Sequence, residues 1–212
     1  MKIYYCLVFV LLIAGCSGNS EKKSPDRGKV ENGIYTNDFF SLQLTVPEGW
    51  IVQTDAEQDA LNEESKNILK NINPGMKSNV DSAAKSTVQM LTVFERVPSD
   101  TSEFNASFVT IAEKLPTNIP GMDEKIYLTL AASQLRKSGL YTSIDAVPSQ
   151  AKIGGENFST VRAVIGGTGN SQPAQEFFAK KMDGYALIFI LSYRTEGQHD
   201  QLKKVLESVT FR

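Results

Sequence analysis

Phe40, Leu42, Leu44 and Val46 alternate with Ser41, Gln43 and Thr45. A period of two in residues that favour extended backbone predicts a strand with one buried face. Pro47-Glu48-Gly49 turns the chain and Trp50-Ile51-Val52 resumes it, with Trp50 expected in the core. The period then becomes helical. Thr54 and Glu57 have capping-box spacing, and Ala56, Ala60, Leu61, Ile68, Leu69 and Ile72 form the expected core face. Asn73-Pro74-Gly75 ends that helix. Residues 87–97 and 107–115 read as strands. Met122, Ile126, Leu130, Ala131 and Leu135 fit one helical face ending at Gly139, with an extended reading open for residues 125–130.

The last third has the clearest punctuation. Residues 151–153 and 158–165 flank Gly154-Gly155-Glu156-Asn157, and residues 175–182 and 185–193 flank Asp183-Gly184, so two hairpins are expected. The run Tyr185-Ala-Leu-Ile-Phe-Ile-Leu-Ser-Tyr193 is apolar on both faces, which predicts a central strand covered on both sides. Thr195 and Gln198 form a second capping box. Leu202, Val205, Leu206 and Val209 then follow at the spacing of a helix core face. Antiparallel hairpins with long helices between them predict an α+β fold, a largely antiparallel β-sheet flanked by helices.

The amino-terminal pattern is different in kind. Lys2 precedes an apolar run from Ile3 to Ala14, followed by small residues, the order of a secretory signal peptide. As a helix, about 12 residues reach ~18 Å, well short of a ~30 Å hydrocarbon core. Ile13-Ala14-Gly15-Cys16 resembles the bacterial lipobox, in which the cysteine thiol takes a diacylglyceryl group before cleavage on its amino side. The competing reading is an ordinary signal with an incidental cysteine. Charge, length, small residues and thiol coincide, so lipidation at Cys16 is expected. Residues 1–15 are then the signal, 16–33 a lipidated amino terminus and flexible tether, and 34–212 a globular domain. The stretch from Ser17 to Gly33 has one aliphatic residue, Val30, too little apolar surface to order itself. Its typical reach is ~23 Å.

Composition narrows the chemistry. One of the two cysteines, Cys6, lies in the removed segment and the other is the lipid site, so disulfides, thiolate nucleophiles and thiolate metal sites are not expected. Loss of Lys2 with the signal leaves 21 basic against 24 acidic side chains, formally −3. Without basic clusters, nucleic acid is not the expected partner. Membrane contact is expected through acyl chains, palmitate-like in length. Two such chains hold firmly where one is marginal. The location implied is the cell envelope. Ser17 lacks the aspartate associated with inner-membrane retention, so the site is the outer membrane facing the periplasm in a two-membrane cell. In a one-membrane cell it is the outer face of the cell membrane.

Residues 40–50, Phe-Ser-Leu-Gln-Leu-Thr-Val-Pro-Glu-Gly-Trp, resemble the opening strand of PsbP-like and DcrB-like proteins. The strand from Tyr185 and the segment from Thr195 to Phe211 resemble the close of the same family. The resemblance implies an antiparallel sheet flanked by helices, a PsbP-like α/β/α sandwich. It also implies a secreted, lumenal or lipid-anchored accessory role without a known catalytic centre. No family binding residue is carried over.

Candidate catalytic residues are few. His199 is the single histidine, which rules out a histidine metal cluster, and it is expected to face solvent on its helix. Ser20-Glu21-Lys22-Lys23 matches Ser-x-x-Lys but lies in the tether, where nothing positions a nucleophile. Gly166-Gly167-Thr168-Gly169 lacks the Gly-Lys-Ser/Thr of a P-loop and reads as a hairpin loop. Asp55, Asp59, Glu63 and Glu64 crowd one helix and read as a solvated face, without the alternation of a calcium loop. Asn105 and Asn157 begin glycosylation sequons, which carry no information in a bacterial lipoprotein. No catalytic residue, cofactor or metal is assigned. The expected function is a non-catalytic accessory protein binding a protein partner or hydrophobic ligand. The alternative is a carboxylate-based envelope hydrolase acting on cell-wall glycans, which requires carboxyls ~5–9.5 Å apart in a cleft.

Overall fold

The computed structural model describes residues 24–100, 102–166 and 172–212, so the signal segment and Cys16 lie outside the described residues. Along the chain run β1 (Lys29–Glu31), β2 (Ile34–Asn37), β3 (Leu42–Thr45) and β4 (Ile51–Val52). Helix α1 (Asp55–Ile72), a short 3-10 turn (Pro74–Met76) and α2 (Lys77–Ser86) follow, then β5 (Thr87–Phe94) and β6 (Ser107–Lys114). Next come α3 (Glu124–Ser138), β7 (Tyr141–Ile144), β8 (Ser149–Ile153), β9 (Glu156–Ile165), β10 (Ala174–Met182) and β11 (Tyr185–Tyr193). Helix α4 (Glu196–Glu207) and β12 (Thr210–Phe211) complete the α+β fold.

The large sheet has the order β4-β5-β6-β11-β10-β9-β7, with β8 also paired to β9, and every pairing is antiparallel. A small sheet, β1-β2-β3-β12, lies apart from it. Strand β11 is central, as its two-faced apolar sequence requires. Ala186, Ile188 and Ile190 enter a core shared with α1, α2 and α3. Leu187, Phe189 and Leu191 enter a second core built from the small sheet and α4. One face of the large sheet is thus covered by three helices. The other is covered by one helix and a second sheet, where the flanking-helix expectation had helices alone.

Local chemistry accounts for the punctuation. Both expected capping boxes form, Thr54 with Glu57 and Thr195 with Gln198. Asp183-Gly184 and Gly154-Gly155 have positive φ at both central positions, the twist a two-residue hairpin needs. Gly139 ends α3 in the left-handed conformation. Phe40, Leu42, Leu44 and Val46 are all buried, although the strand itself begins at Leu42 and Phe40 reaches the core from the preceding turn. Trp50 is half-buried at the margin of the second core instead of lying within it.

Three expectations need correction. The tether does not extend to residue 33. Val30 pairs with Tyr35 in β1–β2, Asn37 Nδ2 donates to Asp26 O at 3.0 Å, and the Tyr35 hydroxyl donates to Arg27 O at 2.9 Å. Gly28 makes this docking possible, because with φ +68° any Cβ would lie 2.3 Å from Thr36 O. Fixed structure therefore begins by Asp26. A chain from Cys16 to Asp26 spans at most ~36 Å whatever its conformation.

The second correction concerns α1. Its sheet-facing residues are Gln58, Ser65 and Leu69, while Ala56, Ala60 and Ile72 are exposed. Buried hydrogen bonds explain the exchange: Gln89 Nε2 donates to Thr92 Oγ1 at 2.5 Å, and Thr92 Oγ1 donates to Gln58 Oε1 at 3.2 Å. The third concerns α3, where Tyr127, Leu128, Ala131, Ala132 and Leu135 are buried and Ile126 and Leu130 exposed. The helix turned its wheel because the Tyr127 hydroxyl donates to the buried Glu113 carboxylate at 2.6 Å.

Candidate functional site

The carboxy-terminal helix lies across the far end of the β8–β9–β10 hairpins. Its residues His199, Lys203, Leu206 and Glu207 face Ala151, Lys152, Ile153 and Gly154 of the β8 hairpin and Glu176 and Phe178 of β10. Together they line a cavity of about 430 Å³. That volume falls within the ~300–1,000 Å³ of small-molecule sites. Ala151, Ile153, Phe178 and Leu206 form its apolar part. Lys152, Lys203, His199, Glu176 and Glu207 supply charge of both signs.

His199 is not the solvent-facing residue expected from sequence. Its side chain is 19 % exposed and its ring stacks on Tyr193, centroids 4.1 Å apart and planes inclined by 13°. The misreading has a simple geometric cause. Leu202 lies three residues on, about 60° around the helix, so the two share a side instead of marking different faces. The capped start of α4 at Thr195 fixes that register.

A small polar network holds the ring. The Tyr193 hydroxyl donates to Glu176 Oε1 at 2.7 Å and accepts from Arg162 Nε at 3.2 Å. His199 Nε2 lies 3.1 Å from Glu176 Oε1, within ion-pair distance but without hydrogen-bond geometry. Burial pushes the Tyr193 phenol up to about 12; the Glu176 carboxylate pushes in the same direction and Arg162 opposes it. Burial likewise raises Tyr35, and burial reinforced by the Glu113 carboxylate raises Tyr127. All three phenols thus bind their protons more tightly folded than unfolded. Their stabilisation is intact below the ordinary phenol pKa of ~10 and is lost as pH rises above it. Urea unfolding at pH 8, 10 and 11.5 should therefore show stability level to about pH 10 and falling steeply beyond. Tyr193→Phe should remove part of that fall between ~10 and ~12.

The other sequence candidates are dispersed. Cys16 with Ile13, Ala14 and Gly15, Ser20, Lys23 and Gly167 to Gly169 lie outside the described residues. Asp55 and Asp59 both meet Arg27, and Glu63 meets Lys66, so the acidic helix face is ion-paired in part. Asn105 bridges the β5–β6 connection, accepting from Arg96 N at 2.9 Å and donating to Arg96 O at 2.7 Å. Among the described residues no group of three or more His, Cys, Asp or Glu side chains could hold a metal. Sequence reasoning did not pick out Glu176, Tyr193 or Arg162, because their meeting depends on strand register. In that register Arg162 pairs with Glu176 across β9–β10, and a single alternation in β11 sets Tyr193 beside them.

No family model matches the chain, and no curated protein matches it. Among solved structures it is similar to LpqN of Mycobacterium tuberculosis, described as involved in cell envelope biogenesis. Identity is 17 %, coverage is 80 % of this chain and 82 % of that one, and the TM-score is 0.45. It is also similar to cyanobacterial PsbP (CyanoP) from Synechocystis, at 13 % identity, with 93 % and 98 % coverage and a TM-score of 0.44. A Bacteroides thetaiotaomicron protein matches at 11 % identity and a TM-score of 0.39, over 81 % of this chain and 45 % of that one.

Proposed function

We propose that this protein is a lipid-anchored accessory protein of a bacterial cell envelope that binds an amphipathic, largely hydrophobic ligand without catalysing its conversion. The cavity between α4 and the β8–β10 hairpins carries the binding part of this reading: apolar walls from Ala151, Ile153, Phe178 and Leu206, with Lys152 and Lys203 among its lining residues. Such a lining suits a hydrocarbon body with an anionic head. No serine, threonine or cysteine is among its lining residues. Glu176 and Glu207 both line it, as a hydrolase would need, but Glu176 is held by Tyr193 and lies against His199. The anchoring part rests on the order of charge, apolar run, small residues and Cys16.

A filled cavity tests the reading. Ala151 is half-buried on β8 at the margin of the second core and lines the cavity, so Ala151→Trp adds bulk there without removing a core side chain larger than a methyl group. The expected result is dodecanoate binding weakened about tenfold or more, about 1.4 kcal/mol, with the thermal midpoint unchanged. Dodecanoate binding that is absent from the wild type, or equal in the variant, contradicts the reading.

A further inference from the structure

The helical side of the sheet contains a second, different cavity. Arg27, Asp59, Asn62, Glu63 and Lys66 form one wall, and Ala84, Thr87, Val88, Gln89 and Ile111 form the other. The volume is about 300 Å³. It exists because α1 presents the wrong kind of face for packing. Residues 58, 62, 65 and 69 recur at helical spacing toward the sheet, and only the last, Leu69, is apolar. A helix held only for stability would bury leucines there, since buried polar groups cost free energy unless matched.

Two atoms are not matched. Asn62 Oδ1 and Thr87 Oγ1, on opposite walls, are buried without a hydrogen-bond partner among the described residues. The charges, by contrast, are balanced. Arg27 pairs with Asp59 and donates from Nη1 to Asp55 O at 2.9 Å, and Lys66 pairs with Glu63. Two cations against two anions favour neither an anionic nor a cationic ligand. The open valences are an amide acceptor and a hydroxyl that both donates and accepts. Ile111 and Ala84 add an apolar patch beside them.

From this juxtaposition we infer that the cleft between α1 and β5 is a binding site for a small, uncharged, hydroxyl-rich molecule of about monosaccharide size. Ligand hydroxyls donate to Asn62 Oδ1 and exchange hydrogen bonds with Thr87 Oγ1, and an apolar ring face lies against Ile111 and Ala84. Arg27 closes one side. It belongs to the segment pinned by Gly28, Tyr35 and Asn37, so the chain nearest Cys16 forms part of the site. The site is independent of the α4 cavity, which lies on the other side of the large sheet.

The test is amide chemical-shift titration of the full-length protein in detergent micelles with D-glucose, D-galactose and N-acetyl-D-glucosamine, against glycine and inorganic phosphate. At least one sugar should shift amides within residues 58–66 and 84–89, and Asn62→Leu and Thr87→Val should each weaken it about tenfold. Thr87→Val preserves side-chain shape, so it remains informative should Asn62→Leu lower the thermal midpoint. Glycine and phosphate should leave those amides unmoved. Three results overturn the inference: no sugar shifts the cleft, sugar shifts persist undiminished in Thr87→Val, or glycine or phosphate alone occupies it.

Discussion

Phe189→Ala should lower stability by roughly 3–5 kcal/mol, among the largest effects of any single side-chain truncation in this fold. Phe189 is fully buried at the middle of β11, the strand that both cores share. Its ring stacks on Phe158 at 5.4 Å between centroids and meets Phe108 at 5.7 Å. Its backbone is held on both sides, by Phe178 of β10 and Thr110 of β6. Strands paired on both edges cannot close over the lost ring, so the cavity persists and the cost stays near the upper end. A domain of this size loses about 2–4 °C per kcal/mol, which places the midpoint roughly 6–20 °C lower. Val147→Ala serves as the control. Val147 is 65 % exposed and its truncation should stay within about 0.5 kcal/mol of zero. A Phe189→Ala midpoint within 2 °C of the wild type, roughly what about 1 kcal/mol would produce, would show that the central strand is not as tightly enclosed as described.

The second large effect is all-or-none. On the proposed anchoring, Cys16→Ala removes the thiol that would accept a diacylglyceryl group, so the variant should carry no acyl mass and retain residues 1–15. Its thermal unfolding should match the wild type, because fixed contacts begin at Asp26 with the hydrogen bonds from Asn37. Membrane fractionation is a poor readout, since the uncut apolar run from Ile3 to Ala14 could itself hold the variant at the bilayer. Intact mass is the discriminating one. A Cys16→Ala protein still cleaved after Gly15 would point to an ordinary signal peptidase and an incidental cysteine.

Sequence pattern disclosed the fold where backbone chemistry is local. Both capping boxes, both Gly-containing hairpins and the two-faced β11 follow from residues within a few positions of one another. The short edge elements did not announce themselves. Strands β1, β2, β7 and β12 have two to four residues each, too few for a period to emerge, and they exist because a neighbour supplies their hydrogen bonds. Helix α2 was equally silent, since Lys77–Ser86 carries only two kinds of apolar side chain, valine and alanine. In α1 the apolar stripe misled, because tertiary hydrogen bonding of Gln58 outweighed the burial of two alanines.

The candidate sites were less legible still. Arg27 read as part of a polar tether, yet it closes the cleft beside α1 because Gly28 lets the chain press against β2. Tyr193 read as the end of a hydrophobic strand, and its polar end matters only because Arg162 and Glu176 arrive from two other strands. No spacing along the chain encodes a meeting of residues 162, 176, 193 and 199. A helical wheel of α4 would have put His199 beside Leu202, and that was the one signal available.

Whether acyl chains hold this protein in the envelope is decided by the amino-terminal peptide of the native protein. The protein should be extracted from bacterial membranes, digested, and its first peptide measured by mass spectrometry. The expected result is a peptide beginning at Cys16 and heavier than its amino acids by glycerol and two or three acyl chains. A peptide that begins at Cys16 without added mass, or one that begins elsewhere with Cys16 unmodified, would contradict it.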